Sequence, residues 1–527
     1  MDQLTAPAKG VTVRMYRQGH GDCYLLAFPR KDRRRKAPYY VLIDCGYKRG
    51  SQKKPDPADL SGRRKIPALP NTDFQNIVDN IAEVTKKRID LFIITHEHED
   101  HVNGIKEKYF GDFHIEEAWF AWTENPKDEL AKELDKGKRR TIQQLIGARH
   151  QLALAVGPEN PTVLTLENFI GLELGLDEDG FNETSALAAL AAVDENGRRI
   201  RGNRGSMYFV TDKANENKGT SYLLPNQVKD LDKTAGVRAF VLGPPRDAKK
   251  LRDEDPRGQE AFHLAMSSTK RRLALSDAFD LDEEATAPFE NACALAQNVA
   301  LGDQHTKSDF FRTYYGAKGE GTELVNEAPS EDNADWRRID EEWLYAAEQL
   351  AIKLNSGVNN SSLVLAFELP HTKKNLLFVG DAQRGNWITW SDCEFEEVDG
   401  TKITPKELLG RTVLYKVGHH GSHNATLKGE IDSDYANLSW MGQGAYGEEF
   451  TAMINAVNAW AVNLHIPWIH PLPSIKAALQ QKAQGRIFQT DTSQIDKPSN
   501  VSDTDWQQFL ARATFHDLYF DYTILDE

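Results

Sequence analysis

Cysteine is scarce in this chain, with four among 527 residues, at positions 23, 45, 293 and 393, and no Cys-x-x-Cys pair. This spacing does not suit a disulfide framework and favours a reducing compartment. No apolar run approaches the roughly 20 residues that a membrane helix needs, and the amino terminus has no apolar signal segment. We therefore expect a cytoplasmic protein without membrane contact.

Internal repeats and low-complexity tracts are also missing from the sequence. The net charge of −15 disfavours nonspecific wrapping of nucleic acid, although it leaves room for a local basic groove. The apolar fraction of 40% and the charged fraction of 27% are those of an ordinary globular protein. A chain of this length predicts two domains, or one core with large insertions.

The first hundred residues alternate between short apolar runs and a helical pattern. The runs VTVRMYR, CYLLAF, YYVLID and IDLFIIT predict strands. Residues 71–88 predict a helix, because apolar side chains recur at Phe74, Ile77 and Ile81. Strands that alternate with helices favour an α/β layered core.

The core is predicted to come from two separate parts of the chain. Residues 1–125 form its N-terminal half, and residues 351–527 form its C-terminal half with a tail. Residues 126–350 read as a largely helical insertion that carries two core strands, at 206–212 and 237–245. In the C-terminal half, apolar runs on both sides of PHTKKN predict a β-hairpin.

The stretch THEHEDH gathers histidines and acids directly after a buried strand. His96 and His98, two residues apart, point to one side of the strand end, while Asp100 and His101 lie where a helix begins. Neutral imidazoles and carboxylates are ligands of zinc, manganese or iron, and they are costly to bury without a partner. The motif predicts ligands for two metal ions; a polar helix-capping loop is the alternative.

THEHEDH resembles the signature of the metallo-β-lactamase fold superfamily, metal-dependent hydrolases built as a four-layer αββα sandwich. The resemblance implies this fold, here with large helical insertions. It also implies an aspartate at an early strand end, a bridging aspartate after a later strand, and a last histidine. VLIDCG supplies Asp44, LLFVGDAQ supplies Asp381, and KVGHHGS supplies His419, with His420 as the alternative.

The resemblance implies two divalent ions, zinc or manganese, that share Asp381 and activate a water as hydroxide. Asp100 and Asp381 are the expected catalytic residues, Asp100 because it both binds metal and orients the hydroxide. Asp44 is expected to fix an imidazole by hydrogen bonding. The predicted metal ligands are His96, His98, Asp100, His101, Asp381 and His419.

A departure from the superfamily pattern lies in SGVNNSSLVL, which lacks the third histidine that many members place at the first metal ion. Water, Asn359 or a serine would complete that shell, which predicts weak retention of zinc or a preference for manganese. His20, in GHGD, is expected either to approach the substrate or to form a turn.

A narrower resemblance favours a class of substrate. GHGDCYLL, NNSSLVL and KVGHHGS, with the motifs above, resemble the hydrolase domain of the DNA-uptake protein ComEC and its soluble relatives, over residues 11–110 and 355–425. It implies a phosphodiesterase or nuclease that acts on nucleic acid or a nucleotide.

The fold alone does not choose the substrate. A small-molecule ester or lactone hydrolase and a partner-activated effector of a multi-protein defence-type system are therefore alternative functions. Because the helical insertion separates the two halves of the core in the sequence, we expect it to form a lid over the metal site or a surface for protein partners.

Overall fold

The computed structural model describes residues 4–32, 37–48, 50–52, 73–175, 181–193, 199, 201–262, 357–462 and 468–527. The strands are β1 (Gly10–Tyr16), β2 (Cys23–Phe28), β3 (Tyr39–Cys45), β4 (Arg88–Ile89), β5 (Leu91–Ile93), β6 (His114–Ile115), β7 (Glu117–Ala121), β8 (Gly219–Leu223), β9 (Val228–Asp230), β10 (Arg238–Gly243), β11 (Val364–Glu368), β12 (Asn375–Phe378), β13 (Phe395–Glu396), β14 (Lys402–Ile403), β15 (Thr412–Lys416), β16 (Thr451–Ile454), β17 (Ile487–Gln489), β18 (Ala513–Phe515) and β19 (Tyr519–Leu525).

The α-helices in these ranges are short except in the inserted segment. They are α1 (Phe74–Thr85), α2 (Glu99–Val102), α3 (Glu107–Phe110), α4 (Glu129–Val156), α5 (Pro161–Leu174), α6 (Glu183–Ala191), α7 (Gly202–Asn215), α8 (Ala248–Leu251), α9 (Arg384–Trp387), α10 (Pro405–Gly410), α11 (Ala445–Glu449), α12 (Asn458–Ala461), α13 (Pro473–Lys482) and α14 (Asp503–Leu510).

Two large mixed sheets organise the strands. The first has the order β18-β19-β1-β2-β3-β5-β7-β8, and the second has the order β17-β16-β15-β12-β11-β10-β9. In the first sheet β1 pairs antiparallel with β2 and β19, whereas β3, β5, β7 and β8 run parallel. In the second, β12, β15, β16 and β17 run parallel. The predicted α/β class is confirmed.

The apolar core lies on both faces of each sheet. One cluster joins side chains of the first sheet, such as Leu26 and Ile93, with side chains of the second, such as Leu365 and Phe378. A second cluster packs α1 and α7 against the outer face of the first sheet. A third packs α9, α10 and α13 against the second sheet. Burial on both faces explains why the central strands read as continuous apolar runs.

The predicted helix over residues 71–88 is confirmed by α1. It begins after Asp73, whose side chain accepts a hydrogen bond from the backbone N–H of Gln75. The predicted strand over 237–245 is confirmed by β10. The predicted hairpin is confirmed by β11 and β12, which pair antiparallel.

The strand predicted over residues 206–212 is wrong, because this segment lies within α7. Its buried side chains Met207, Val210, Thr211 and Ala214 follow the helical spacing of three and four residues. The short run SMYFVTD was read as a strand because it is too short to show this helical spacing. The described part of the predicted insertion thus holds α4 to α7 between β7 and β8, while residues 263–356 lie outside the described residues.

Among the described residues, no helix combines the length and the apolar character that crossing a bilayer requires.

The layer between the two sheets is expected to dominate stability. Phe378 is 2% exposed and packs against the rings of Tyr24 and Phe367, with centroid distances of 5.4 and 5.9 Å. Phe378→Ala should lower the free energy of unfolding by about 3–5 kcal/mol, since it leaves a cavity. Urea unfolding followed by circular dichroism measures this loss. Val398→Ala, at an 84% exposed position, is the control; equal effects of the two variants would contradict the assignment.

Candidate metal centre

The predicted site residues lie just beyond the carboxyl ends of strands in both sheets. In the first sheet Asp44 is the next-to-last residue of β3, and the histidine motif follows β5, which is the parallel neighbour of β3. In the second sheet Asp381 follows β12, and the pair His419 and His420 follows β15, again a parallel neighbour. Parallel neighbours bring their carboxyl ends to one edge, which is where ligand sites form in such sheets.

The backbone around these strand ends is tightly packed and strained. A Cβ atom on Gly46 would lie 2.5 Å from backbone atoms of Asp100 and His101, so this contact requires glycine. Asp44, His419 and His420 adopt left-handed conformations, with φ of 52°, 39° and 54°. Non-glycine residues in this region carry strain, and such residues concentrate at functional sites.

One group of potential ligands unites the two halves of the chain. Ligand atoms of Asp100, His101, Asp381 and His420 all lie within 4.8 Å of one another, and all four residues are buried. His420 Nε2 lies 2.7 Å from Asp100 Oδ2, and His101 Nε2 lies 3.3 Å from Asp381 Oδ2. Two imidazoles with two carboxylates are a suitable set for a divalent transition metal.

A second group shares a member with the first. Ligand atoms of His96, His98 and Asp381 also lie within 4.8 Å of one another. His96 Nε2 lies 3.0 Å from His98 Nδ1 and 4.0 Å from Asp381 Oδ2. Asp381 therefore belongs to both groups.

The histidine rings are oriented by contacts on their opposite nitrogens. These contacts join His96 Nδ1 to Thr95 Oγ1 (3.1 Å), His101 Nδ1 to Asp44 Oδ2 (2.8 Å) and His420 Nδ1 to the Asn455 carbonyl oxygen (2.8 Å). With one nitrogen engaged in this way, the other faces the shared carboxylates, as in metal centres whose ligands are held by outer hydrogen bonds. Asp44, expected to fix an imidazole, thus lies beside that of His101.

The electrostatics of the site favour a bound cation. Two buried ammonium groups lie among four buried carboxylates. The ammonium groups belong to Lys48 and Lys416, and the carboxylates belong to Asp22, Asp44, Asp100 and Asp381. Burial alone would raise the pKa of Asp381, but His101 and His420 hold it well below its usual value. Burial lowers the pKa of His96, which keeps its imidazole neutral, the form that binds metal.

Two buried atoms at the centre of the site make no hydrogen bond: Asp100 Oδ1, which lies 3.5 Å from Lys48 Nζ, and His101 Nε2, which lies 3.3 Å from Asp381 Oδ2. Buried polar atoms without partners are costly, and native structures retain few of them. A metal ion would satisfy both atoms. The residues present therefore fit a metal centre, and the buried histidine and aspartate groups could bind a metal ion.

No protein-family model matches this chain, and no curated protein matches it.

His419, the residue preferred from sequence as the last ligand, is not part of either group. Its Nδ1 lies 2.8 Å from Ser422 Oγ, and its backbone N–H donates to Asp381 Oδ1 at 3.0 Å. Burial lowers the pKa of His419 to about 4. The alternative, His420, is the one the structure brings to Asp100. Both residues have left-handed backbones, and their rings face different partners.

The other predicted residues lie close to the site. Asn359 is fully buried, its Oδ1 makes no hydrogen bond, and its Nδ2 is 3.4 Å from His419 Nε2. A serine of the same segment, Ser362, lies with its Oγ 3.3 Å from His96 Nδ1. His20 is fully buried, its ring centroid 4.0 Å from that of His420, so it packs behind the group instead of facing solvent.

Sequence reasoning missed four charged residues at the site. Asp22 and Lys416 form a buried ion pair, and Lys48 Nζ lies 3.5 Å from Asp100 Oδ1. Lys416 could have been recognised from the sequence, because it is a lysine at the end of the otherwise largely apolar strand TVLYK. Glu173, from helix α5, approaches His98 without any local motif to mark it.

Replacing the two adjacent histidines separately should distinguish their roles. His420→Ala is expected to weaken binding of one divalent ion by more than about 100-fold, because it removes a ligand. His419→Ala should change it little and is a matched control, since both positions have left-handed backbones. Isothermal titration of the metal-free proteins with manganese or zinc measures both. A greater loss in His419→Ala would contradict the geometry.

Proposed function

We propose that this chain is a metal-dependent hydrolase of the metallo-β-lactamase fold that cleaves phosphodiester bonds. The observation that carries the proposal is Asp381, which belongs to two adjacent groups of buried ligands. A shared carboxylate is what a two-metal site requires. Two packed mixed sheets with helices on their outer faces support a four-layer αββα arrangement.

Two ions, zinc or manganese, are assigned to the two groups. His96, His98 and Asp381 would hold the first, and Asp100, His101, His420 and Asp381 would hold the second. When bound, such ions lower the pKa of a water and stabilise charge that develops on the attacked group.

The chain's own residues position the reaction. Asp100 Oδ1 makes no hydrogen bond within the protein, so it is available to accept one from an attacking water. Its other oxygen, Oδ2, lies 2.7 Å from His420 Nε2, the nitrogen that would share a metal ion with it. Lys416 pairs with Asp22 and donates to the carbonyl oxygen of Gly380 at 2.8 Å, which fixes the loop that carries Asp381.

A phosphodiester is the best substrate class for this arrangement. Pairs of metal ions recur in phosphatases, nucleases and polymerases, where they clamp the attacking and leaving oxygens of a phosphoryl group. The resemblance of the histidine and NNSSLVL motifs to ComEC supports the same class. We infer a nucleic acid or nucleotide as substrate, in a cytoplasmic protein.

Hydrolysis of bis-p-nitrophenyl phosphate and of single-stranded DNA tests this function. Metal-stripped protein should be inactive and should regain activity with manganese or zinc. Asp100→Asn and His96→Ala should each lower kcat/KM by about 100-fold or more, because each removes a group at the reacting centre. His371→Ala, at an exposed histidine outside both groups, should keep full activity and is the control.

Two outcomes would contradict the proposal. Activity that survives in both site variants would assign it to a contaminant or to another site. Bound metal without cleavage of either substrate would instead favour a small-molecule ester or lactone hydrolase, or an effector that needs a protein partner.

A further inference from the structure

Glu173 is a buried carboxylate that reaches the site from outside the sheets. It lies in the last turn of α5, within the inserted helices, and is 2% exposed. Its Oε1 lies 3.1 Å from Nε2 of His98. Burying a carboxylate is costly unless it has strong partners, so the contact of Glu173 with His98 must offset this cost.

The two nitrogens of His98 have different surroundings. Nδ1 faces Nε2 of His96 at 3.0 Å, inside the group that includes Asp381. Nε2 faces Glu173. A carboxylate can only accept a hydrogen bond, so it keeps the proton of His98 on Nε2 and leaves the lone pair of Nδ1 directed into the group. His96, His101 and His420 are oriented in the same way, but by residues of the sheets and their loops.

A second contact ties the inserted helices to the histidine motif. Lys138, on α4, forms ion pairs with Glu173 Oε2 (2.5 Å) and with Glu97, the residue between the two histidines. Glu97 is also buried and pairs with Arg199 and Arg204. The insertion therefore holds the motif at two neighbouring residues, Glu97 and His98. A surface lid would not need these buried charges at its base.

We propose that Glu173 is a positioning residue of the metal centre, which makes the helical insertion a structural part of that centre. The inference rests on the proposed function, since it requires His98 to bind metal through Nδ1. Outer-shell carboxylates of this kind fix the tautomer and raise the basicity of the ligand, and their loss costs 10- to 100-fold in metal affinity.

Metal titration of Glu173→Gln tests the inference without using activity. This nearly isosteric change keeps an acceptor oxygen but removes the charge. The metal-free wild type and variant are titrated with Mn²⁺ and with Zn²⁺ by calorimetry, with a competing chelator where binding is tight. We expect the variant to bind one ion about 10- to 100-fold more weakly.

Glu167→Gln is the matched control. Glu167 lies on the same helix and pairs with Arg149 inside the insertion. It should bind metal as the wild type does. Thermal unfolding of the metal-free proteins separates positioning from packing: a purely structural Glu173 would lower the melting temperature and leave the affinity unchanged, which would overturn the inference.

A second variant decides the case if Glu173→Gln does not fold. Glu173→Asp keeps the charge for Lys138 but withdraws the carboxylate from His98, and it should also weaken binding of one ion. Unchanged affinity in the folded variant overturns the inference and leaves the proposed function intact. A wild type that binds neither ion overturns the proposed function, and the inference with it.

Discussion

The shared position of Asp381 is the constraint on which the rest of the site depends. Its carboxylate lies among imidazoles from the first sheet and His420 from the second, all removed from water. Such a group is stable only if the surrounding charges balance, and within it the carboxylates outnumber the ammonium groups. The packing of the two sheets against each other holds these like charges together, and a bound metal ion could compensate them.

Much of this arrangement was predictable because it depends on local sequence. Strands buried on both faces are apolar throughout, so β3, β5, β12 and β15 could be recognised together with the ligands that follow them. The choice between His419 and His420 could not be made, because both follow the same strand and only the structure shows which ring faces Asp100. Glu173 could not be predicted for another reason. Its partner, His98, lies 75 positions away, and an acidic residue in a helix is common.

The wrong strand prediction at residues 206–212 came from too short a stretch of sequence. A strand was inferred from seven residues, a window shorter than two turns of a helix. The five buried residues of α7 run from Asn203 to Ala214, and only the longer window shows their spacing. The inserted segment also carries largely buried charges that packing alone does not explain. Lys138, Arg199 and Arg204 all reach Glu97, so this segment is joined to the histidine motif by charge as well as by apolar contacts.

The pairing of β1 has a consequence for the order of synthesis. One edge of β1 bonds to β2, which follows within seven residues, but the other bonds to β19, from Gly10 opposite Leu525 to Tyr16 opposite Tyr519. A ribosome releases β19 just over 500 residues after β1, because 503 positions separate Tyr16 from Tyr519, and β1 lacks this partner during that interval. The nascent chain therefore carries an unpaired strand edge, a site where other chains can add. Late pairing of β19 with β1 is therefore the step that closes this edge of the first sheet.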